Sequence, residues 1–221
     1  MLLVESPLRE KNKSIAFYTK LGFEISQEKD LYLAKESRFI VLLNPASESQ
    51  PALHVFGAKE TKSFLGPSGT LIHLVREKCP YSLGSLPSIL GNYHGVSLET
   101  DTLQDSFTLW HKLGFKGTFS STSGWIELNN AGQQLSIQKT NLCPHSFFNP
   151  SLTFFNGQKN KGIIDHIKQV ELPIEEEVIF SAEEKIAQNI ILKDPGGLGF
   201  FILMMAEAVE KFHPLTFLMY F

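Results

Sequence analysis

Only two cysteines occur in 221 residues, Cys79 and Cys143, 64 positions apart and each followed by proline. They form no paired spacing for a zinc knuckle or a dithiol redox motif, so both are expected to be reduced thiols. No stretch approaches the ~18 consecutive apolar residues that a membrane span needs. The opening residues, MLLVESPLRE, carry no basic leader ahead of a long apolar core. Neither sign of charge dominates: the formal net charge is -3, with 19% charged residues. That balance excludes the basic surface of a nucleic-acid binder and the composition of a disordered tail. A cytoplasmic protein that engages neither nucleic acid nor membrane is expected. The glycines after Asp194 are followed by no helix, which removes a phosphate loop, and there is no nucleophile elbow and no local serine or cysteine triad. What is present is ordinary globular material, 43% hydrophobic, enough for one large domain or two small ones. The 18 phenylalanines read as core filling.

The most informative feature is a duplication. Lys-Leu-Gly-Phe occurs at residues 20 to 23 and again at 112 to 115, within SIAFYTKLGFEIS and SFTLWHKLGFKGT, an offset of 92 residues. In each copy an amphipathic helix stops at a glycine and a strand begins. The first copy predicts a strand over residues 1 to 5 ended by Pro7, a helix over 11 to 21 and strands in GFEIS, LYLAK and RFIVLLN. The second predicts a strand in YHGVSLET, a helix capped by Asp101 or Thr102, and strands in GFKGTFS, GWIEL and QQLSIQK. A weaker repeat interleaves with these: ALHVFG then GPSGTLIHLV, in residues 52 to 75, reads as a shortened form of SLTFFNG then DPGGLGFFIL, in 151 to 203. Between the last two lie a helix in NKGIIDHIKQV and strands in EVIFS and AQNIIL. The charge run Glu175, Glu176, Glu177, Glu183 and Glu184 reads as a solvated loop or edge.

The order of units, the two aromatic-x-Lys-Leu-Gly-Phe helix ends and the Asp194-Pro195-Gly196-Gly197 turn resemble the vicinal oxygen chelate superfamily, which includes glyoxalase I, bleomycin-resistance proteins and extradiol dioxygenases. The resemblance implies an α+β fold of tandem β-α-β-β-β units forming two cup-shaped mixed-sheet lobes, the first truncated. It divides the chain into an N-terminal lobe over residues 1 to 79, a linker over 80 to 92, a complete C-terminal lobe over 93 to 208 and an apolar tail over 209 to 221.

In that superfamily paired units hold a divalent metal, with histidine or glutamine from the first strand of each unit and glutamate from the last strand. His94 takes the first position, seven residues before Asp101. Gln138, with Ser136 as the alternative, takes the end of that unit, and Phe201 stands where the glutamate would be. The remaining strand offers only Ser151, Leu152 and Thr153. One histidine and one amide fall short of a two-histidine, one-carboxylate site. In the N-terminal lobe the same count places His54 and His73 on neighbouring strands, with Glu5 as the one nearby carboxylate, its register left open. Each of these histidines also reads as a hydrogen-bonded core or rim residue.

The expected function is therefore that of a divergent superfamily member, in the manner of the bleomycin-resistance branch. It would bind a small organic molecule in the C-terminal cup without the standard metal and with no other cofactor, through His94 and Gln138 as polar contacts and Phe201 and Trp125 as apolar walls. Whether it is an enzyme stays open at this point, with the incomplete ligand set weighing against a conventional metal-dependent enzyme of the superfamily. One alternative is a metal-dependent lyase, isomerase or dioxygenase using His94, with Gln138, or His54 with His73, as ligands. Another is a structural or interaction protein acting through the apolar tail. The resemblance also admits a homodimer.

Overall fold

Both Lys-Leu-Gly-Phe segments fold into the same helix stop. Helix α1 (Lys11–Lys20) and helix α2 (Leu103–Lys112) each run into a glycine in the left-handed region, Gly22 at φ 84° and Gly114 at φ 92°. The Phe23 N–H then bonds Tyr18 O at 3.0 Å and Gly22 N–H bonds Thr19 O at 3.0 Å. In the second copy Phe115 N–H reaches Trp110 O at 3.0 Å and Gly114 N–H reaches His111 O at 3.1 Å. These are the paired bonds of a Schellman cap, and only a residue without a Cβ takes the turn at no steric cost. The apolar contact that accompanies such a cap also repeats: Tyr18 meets Phe23 edge-on at 5.3 Å, and Trp110 meets Phe115 at 5.2 Å. Helix α3 (Asn160–Gln169) ends differently, with Glu171 forced to φ 54° where the others have glycine.

The computed structural model describes residues 1–47, 50–119, 123–143, 145–179 and 186–204. The apolar tail and Glu183 and Glu184 therefore lie outside the described residues. Among the described residues no helix is long and apolar enough to cross a membrane.

The first unit contributes β1 (Leu2–Pro7), α1, β2 (Glu24–Glu28), β3 (Leu31–Lys35) and β4 (Ile40–Asn44). The short second unit contributes β5 (Ala52–Phe56), β6 (Lys62–Leu65) and β7 (Leu71–Val75), with no helix. The third has β8 (Tyr93–Thr100), α2, β9 (Lys116–Gly117), β10 (Trp125–Asn130) and β11 (Gln133–Lys139). The fourth has β12 (Ser151–Phe155), α3, β13 (Ile174–Val178), β14 (Asn189–Lys193) and β15 (Gly199–Leu203). One sheet has the order β2-β3-β4-β1-β5-β7-β6 and the other β13-β14-β15-β12-β8-β11-β10-β9. In each, a unit's first strand pairs in parallel with its own last strand, as β1 with β4, β5 with β7, β8 with β11 and β12 with β15. The two first strands of a lobe meet antiparallel at the sheet centre, β1 with β5 and β8 with β12. The expected tandem cups and the truncated first lobe are thus present.

Five local expectations are corrected. The first strand does not stop before Pro7 but includes it, in parallel register with Asn44, where the missing N–H costs nothing at the strand's last position. The short unit holds an additional strand, β6, which lies at the sheet edge. The segment GFKGTFS keeps only the two residues of β9, and β13 starts at Ile174, ahead of EVIFS. Thr102 does sit at the start of α2, but its side chain makes no capping bond; its own N–H is taken by Thr100 Oγ1 at 3.2 Å.

Alternation along the strands sends one face of each sheet into a shared core. Val4, Val41, Leu53 and Ile72 from the first sheet and Val96, Leu135, Phe154 and Phe200 from the second belong to one continuous apolar cluster with the helix residues Phe17, Tyr18, Trp110 and Ile164. At ~25 cal/mol per Å², burying such side chains is the main force holding both sheets together. The glycine turns add specific docking. Asp194 accepts from Ser6 Oγ at 2.6 Å and Tyr18 Oη at 2.8 Å in the other lobe, and a Cβ on Gly196 would fall 2.0 Å from Ser6 Oγ. Reciprocally, the Gly66-Pro67-Ser68-Gly69 turn offers Pro67 O to Thr100 and Ser68 O to Asn149. Residues 80–92 are strapped along the first unit: Gly84 N–H bonds Glu36 O and Ile89 N–H bonds Leu21 O. The opposite faces of the two sheets form the cups.

Candidate functional site

Strand register decides which side chains the C-terminal cup can offer. Thr153 pairs with Phe201 on one side and Gly95 on the other, Ser97 pairs with Ser136, and Trp125 pairs with Gln138. Trp125, Gln138 and Phe201 line one cavity of about 40 Å³, together with Ser97, Ser136, Thr153, Cys143, Phe147 and Phe155. That space holds about three waters. Its walls are mostly apolar, with Leu98 and Leu203 beside the aromatic rings, and the Phe147 and Phe201 rings are 5.0 Å apart.

The polar atoms at this cavity are few. Ser97 Oγ and Thr153 Oγ1 bond each other at 2.6 Å. Gln138 is 7% exposed, and its Nε2 is buried with no hydrogen-bond partner. The neighbouring Cys143 thiol is pushed up to about 11 by burial, an effect the His145 backbone N–H only partly offsets, so it stays protonated near neutrality.

His94 lies on the same face but outside the cavity lining. Its Nε2 is 2.6 Å from Glu127 Oε1 and its ring packs 4.5 Å from Phe155. A register shift between Thr153 and Phe154, where β12 skips His94 in its pairing with β8, displaces it toward the strand's start. The β8 residues that reach the cavity are Ser97 and Leu98, neither of which sequence counting singled out. Phe155, Phe147 and Cys143 were likewise missed; the alternation Leu152-Phe154 against Thr153-Phe155 carries a signal for the first, whereas the other two arrive from a loop.

In the N-terminal cup the expected neighbours do meet. His54 and His73 are directly paired across β5 and β7, with ring centroids 4.6 Å apart. Glu5, whose register the sequence left open, stands on the same face: Leu3 pairs with His54 and Glu5 with Ala52, and Glu5 Oε2 lies 2.7 Å from His54 Nε2. Burial alone would raise the Glu5 carboxyl, but hydrogen bonds from His54, Asn44 and Ser47 and the His54 charge outweigh it, and the net direction is below the ordinary value. Burial and the His54 charge lower His73, opposed by Glu5. His73 Nδ1 is 2.7 Å from Ser63 Oγ on the edge strand β6.

No protein-family model and no curated protein matches the chain. Solved structures do match its fold. Catechol 2,3-dioxygenase superposes with a TM-score of 0.55 at 10% identity, over 90% of this chain and 85% of that one. Homoprotocatechuate 2,3-dioxygenase from Arthrobacter globiformis superposes with a TM-score of 0.56 at 11% identity, over 90% and 78%. The 2,3-dioxygenase LapB from Pseudomonas sp. KL28 superposes with a TM-score of 0.55 at 13% identity, over 96% and 94%. Identities this low speak for architecture and not for chemistry. With its paired units, cup faces and reciprocal glycine turns, the chain has the vicinal oxygen chelate fold, in a divergent form whose second unit is shortened.

Proposed function

We propose that the protein binds a small aromatic or otherwise apolar molecule carrying one hydrogen-bond acceptor in the C-terminal cup, without a metal at that cup. On this reading residues 93 to 208 are the ligand-binding lobe, residues 1 to 79 a companion lobe and residues 80 to 92 the linker.

The observation that carries it is Gln138, which lines the cavity walled by Trp125, Phe147, Phe155 and Phe201 and whose buried amide Nε2 has no hydrogen-bond partner. An unmet buried donor costs about 1–3 kcal/mol, a cost that a ligand's oxygen would remove. Apolar walls then supply burial, and one polar atom supplies orientation. Metal ligation at this cup has little support, since Thr153 and Phe201 occupy adjoining positions and a phenyl ring has no lone pair to donate. The cavity of about 40 Å³ is smaller than a benzene ring requires, so binding entails rotation of a wall side chain such as Phe147.

Phenol and catechol, titrated by calorimetry and ligand-observed NMR before and after chelator treatment, test the reading. Expected are saturable binding that survives the chelator and a loss of about tenfold in affinity in Gln138→Met, the worth of one hydrogen bond. Absence of binding at millimolar probe, unchanged affinity in Gln138→Met, or binding abolished by the chelator would each overturn it.

A further inference from the structure

We propose that Glu5, His54 and His73 form a divalent transition-metal site in the N-terminal cup, the lobe opposite the proposed ligand pocket. Three adjacent strands, β1, β5 and β7, each present one of these side chains on a single face, and their ligand atoms all lie within 4.8 Å of one another. Among the described residues this is the one group of three or more histidine, cysteine or acidic side chains whose donor atoms converge in this way.

The surroundings resemble a held ligand set more than a chance ion pair. Glu5 is 4% exposed and lies on the same face of β1 as the buried Leu3, two residues earlier, so its charge is kept from water. Asn44 and Ser47 are polar neighbours that favour the ionised form of the same carboxylate. Ser63 engages His73 Nδ1, leaving Nε2 as that ring's donor toward the trio. A hydrogen-bond partner on the far nitrogen is the usual way a protein fixes the tautomer and direction of a metal-binding imidazole.

Distances permit the ion with little rearrangement. Two ligand atoms bound to one cation at ~2.1 Å stand about 3.0–3.4 Å apart, so Glu5 Oε2 and His54 Nε2, at 2.7 Å, need only separate by a few tenths of an ångström. Two imidazoles and a carboxylate favour zinc, cobalt or ferrous iron over magnesium or calcium, which take oxygen donors. Three protein ligands leave at least one coordination position for water or substrate, as in catalytic rather than structural sites. The site does not depend on ligand binding in the other cup.

The test uses the full chain, stripped with a chelator and titrated with Co²⁺, read by visible absorption and by equilibrium dialysis with elemental analysis. One equivalent per chain is expected. His73→Gln, at a half-buried position that tolerates an amide, should weaken binding about 100-fold or more and Ser63→Ala about tenfold, both with unchanged circular dichroism. His94→Gln and Gln138→Met should bind Co²⁺ as the parent does. Substoichiometric or no uptake, parent-like affinity in a folded His73→Gln, or loss of the metal in His94→Gln would overturn the assignment.

Discussion

Tyr18 Oη donates to Asp194 Oδ2 across 2.8 Å, tying helix α1 of the first unit to the last turn of the fourth, 176 residues further along the chain. Ser6 Oγ donates to the same oxygen at 2.6 Å, and Leu198 N–H donates to Oδ1 at 2.8 Å. The turn that in sequence looks like a family signature is thus a clamp between lobes. Tyr18→Phe keeps the ring and removes one donor to a buried carboxylate. A loss of about 1.5–3 kcal/mol in urea unfolding is expected, and a loss below a few tenths would show that the clamp carries no stability.

Asp194 also makes stability depend on pH. Burial raises its carboxyl above the ordinary 3.8, despite the bonds from Ser6, Tyr18 and the backbone that pull it down. A raised folded-state value means the contribution is fully present below the unfolded value of about 3.8 and is lost as pH rises through the folded one. Asparagine does not ionise. Relative to the parent, Asp194→Asn should therefore fare worst near pH 3.5 and gain as pH is raised from about 4 toward neutrality. Urea unfolding of both proteins across that range checks it; a pH-independent difference would refute the direction.

Two glycine substitutions should act in opposite senses. A Cβ on Gly196 would lie 2.0 Å from Ser6 Oγ and 2.5 Å from Pro7 O, and the carbonyl cannot move without disturbing β1. Gly196→Ala is expected to cost about 1–3 kcal/mol. Gly162, inside α3, has nothing within 4 Å of its would-be Cβ. Gly162→Ala should stabilise by about 0.5–1 kcal/mol through lower unfolded-state entropy and higher helix propensity. Thermal melts of the pair suffice, and the same sign for both would contradict the geometry.

Much of the architecture was legible because it rests on local chemistry. A helix that must end in a Schellman cap needs glycine at one place and an apolar residue after it, so Lys-Leu-Gly-Phe announced both helix ends. Edge strands were harder. The four residues of β6, Lys62–Leu65, are mostly exposed and show no clean alternation, since a strand at the sheet edge need bury neither face. The site was read less well than the fold. Counting from Asp101 placed His94 on the correct face, but a bulge between β8 and β12 moves it away from the cavity, and bulges leave no mark in a single sequence. The meeting of Glu5 with His54, 49 residues apart, depends on antiparallel register between two units, which only tertiary pairing sets.

The two thiols should differ sharply in reactivity. Cys143 is buried and its thiol is pushed up to about 11, above the ordinary 9.0, chiefly by burial. At pH 8 its thiolate fraction is then about 100-fold lower than that of an ordinary cysteine, and access is restricted as well. Cys79 is half-buried near Tyr81. One thiol per chain should react promptly with a disulfide reagent in the native state, Cys79 by peptide mapping, and the second only on unfolding. Equal rates would contradict the burial of Cys143.

The orphaned amide of Gln138 makes a prediction independent of any ligand. If Nε2 has no acceptor, the folded protein bears its full desolvation cost, and a residue of the same shape without the donor should relieve it. Methionine is close in length and flexibility and suits the neighbouring Phe147, Phe201 and Cys143. Gln138→Met is therefore expected to raise stability by about 1 kcal/mol in urea unfolding while weakening phenol binding. A gain in stability paired with a loss of binding is the pattern of a residue kept for function at a cost to the fold. Gln138→Leu, which also lacks the donor but branches early, controls for packing; it should match methionine in binding and fall below it in stability. If both variants are destabilised by more than about 1 kcal/mol, the amide is satisfied in the native state by water or by Cys143. The cavity would then lose the group that orients its ligand.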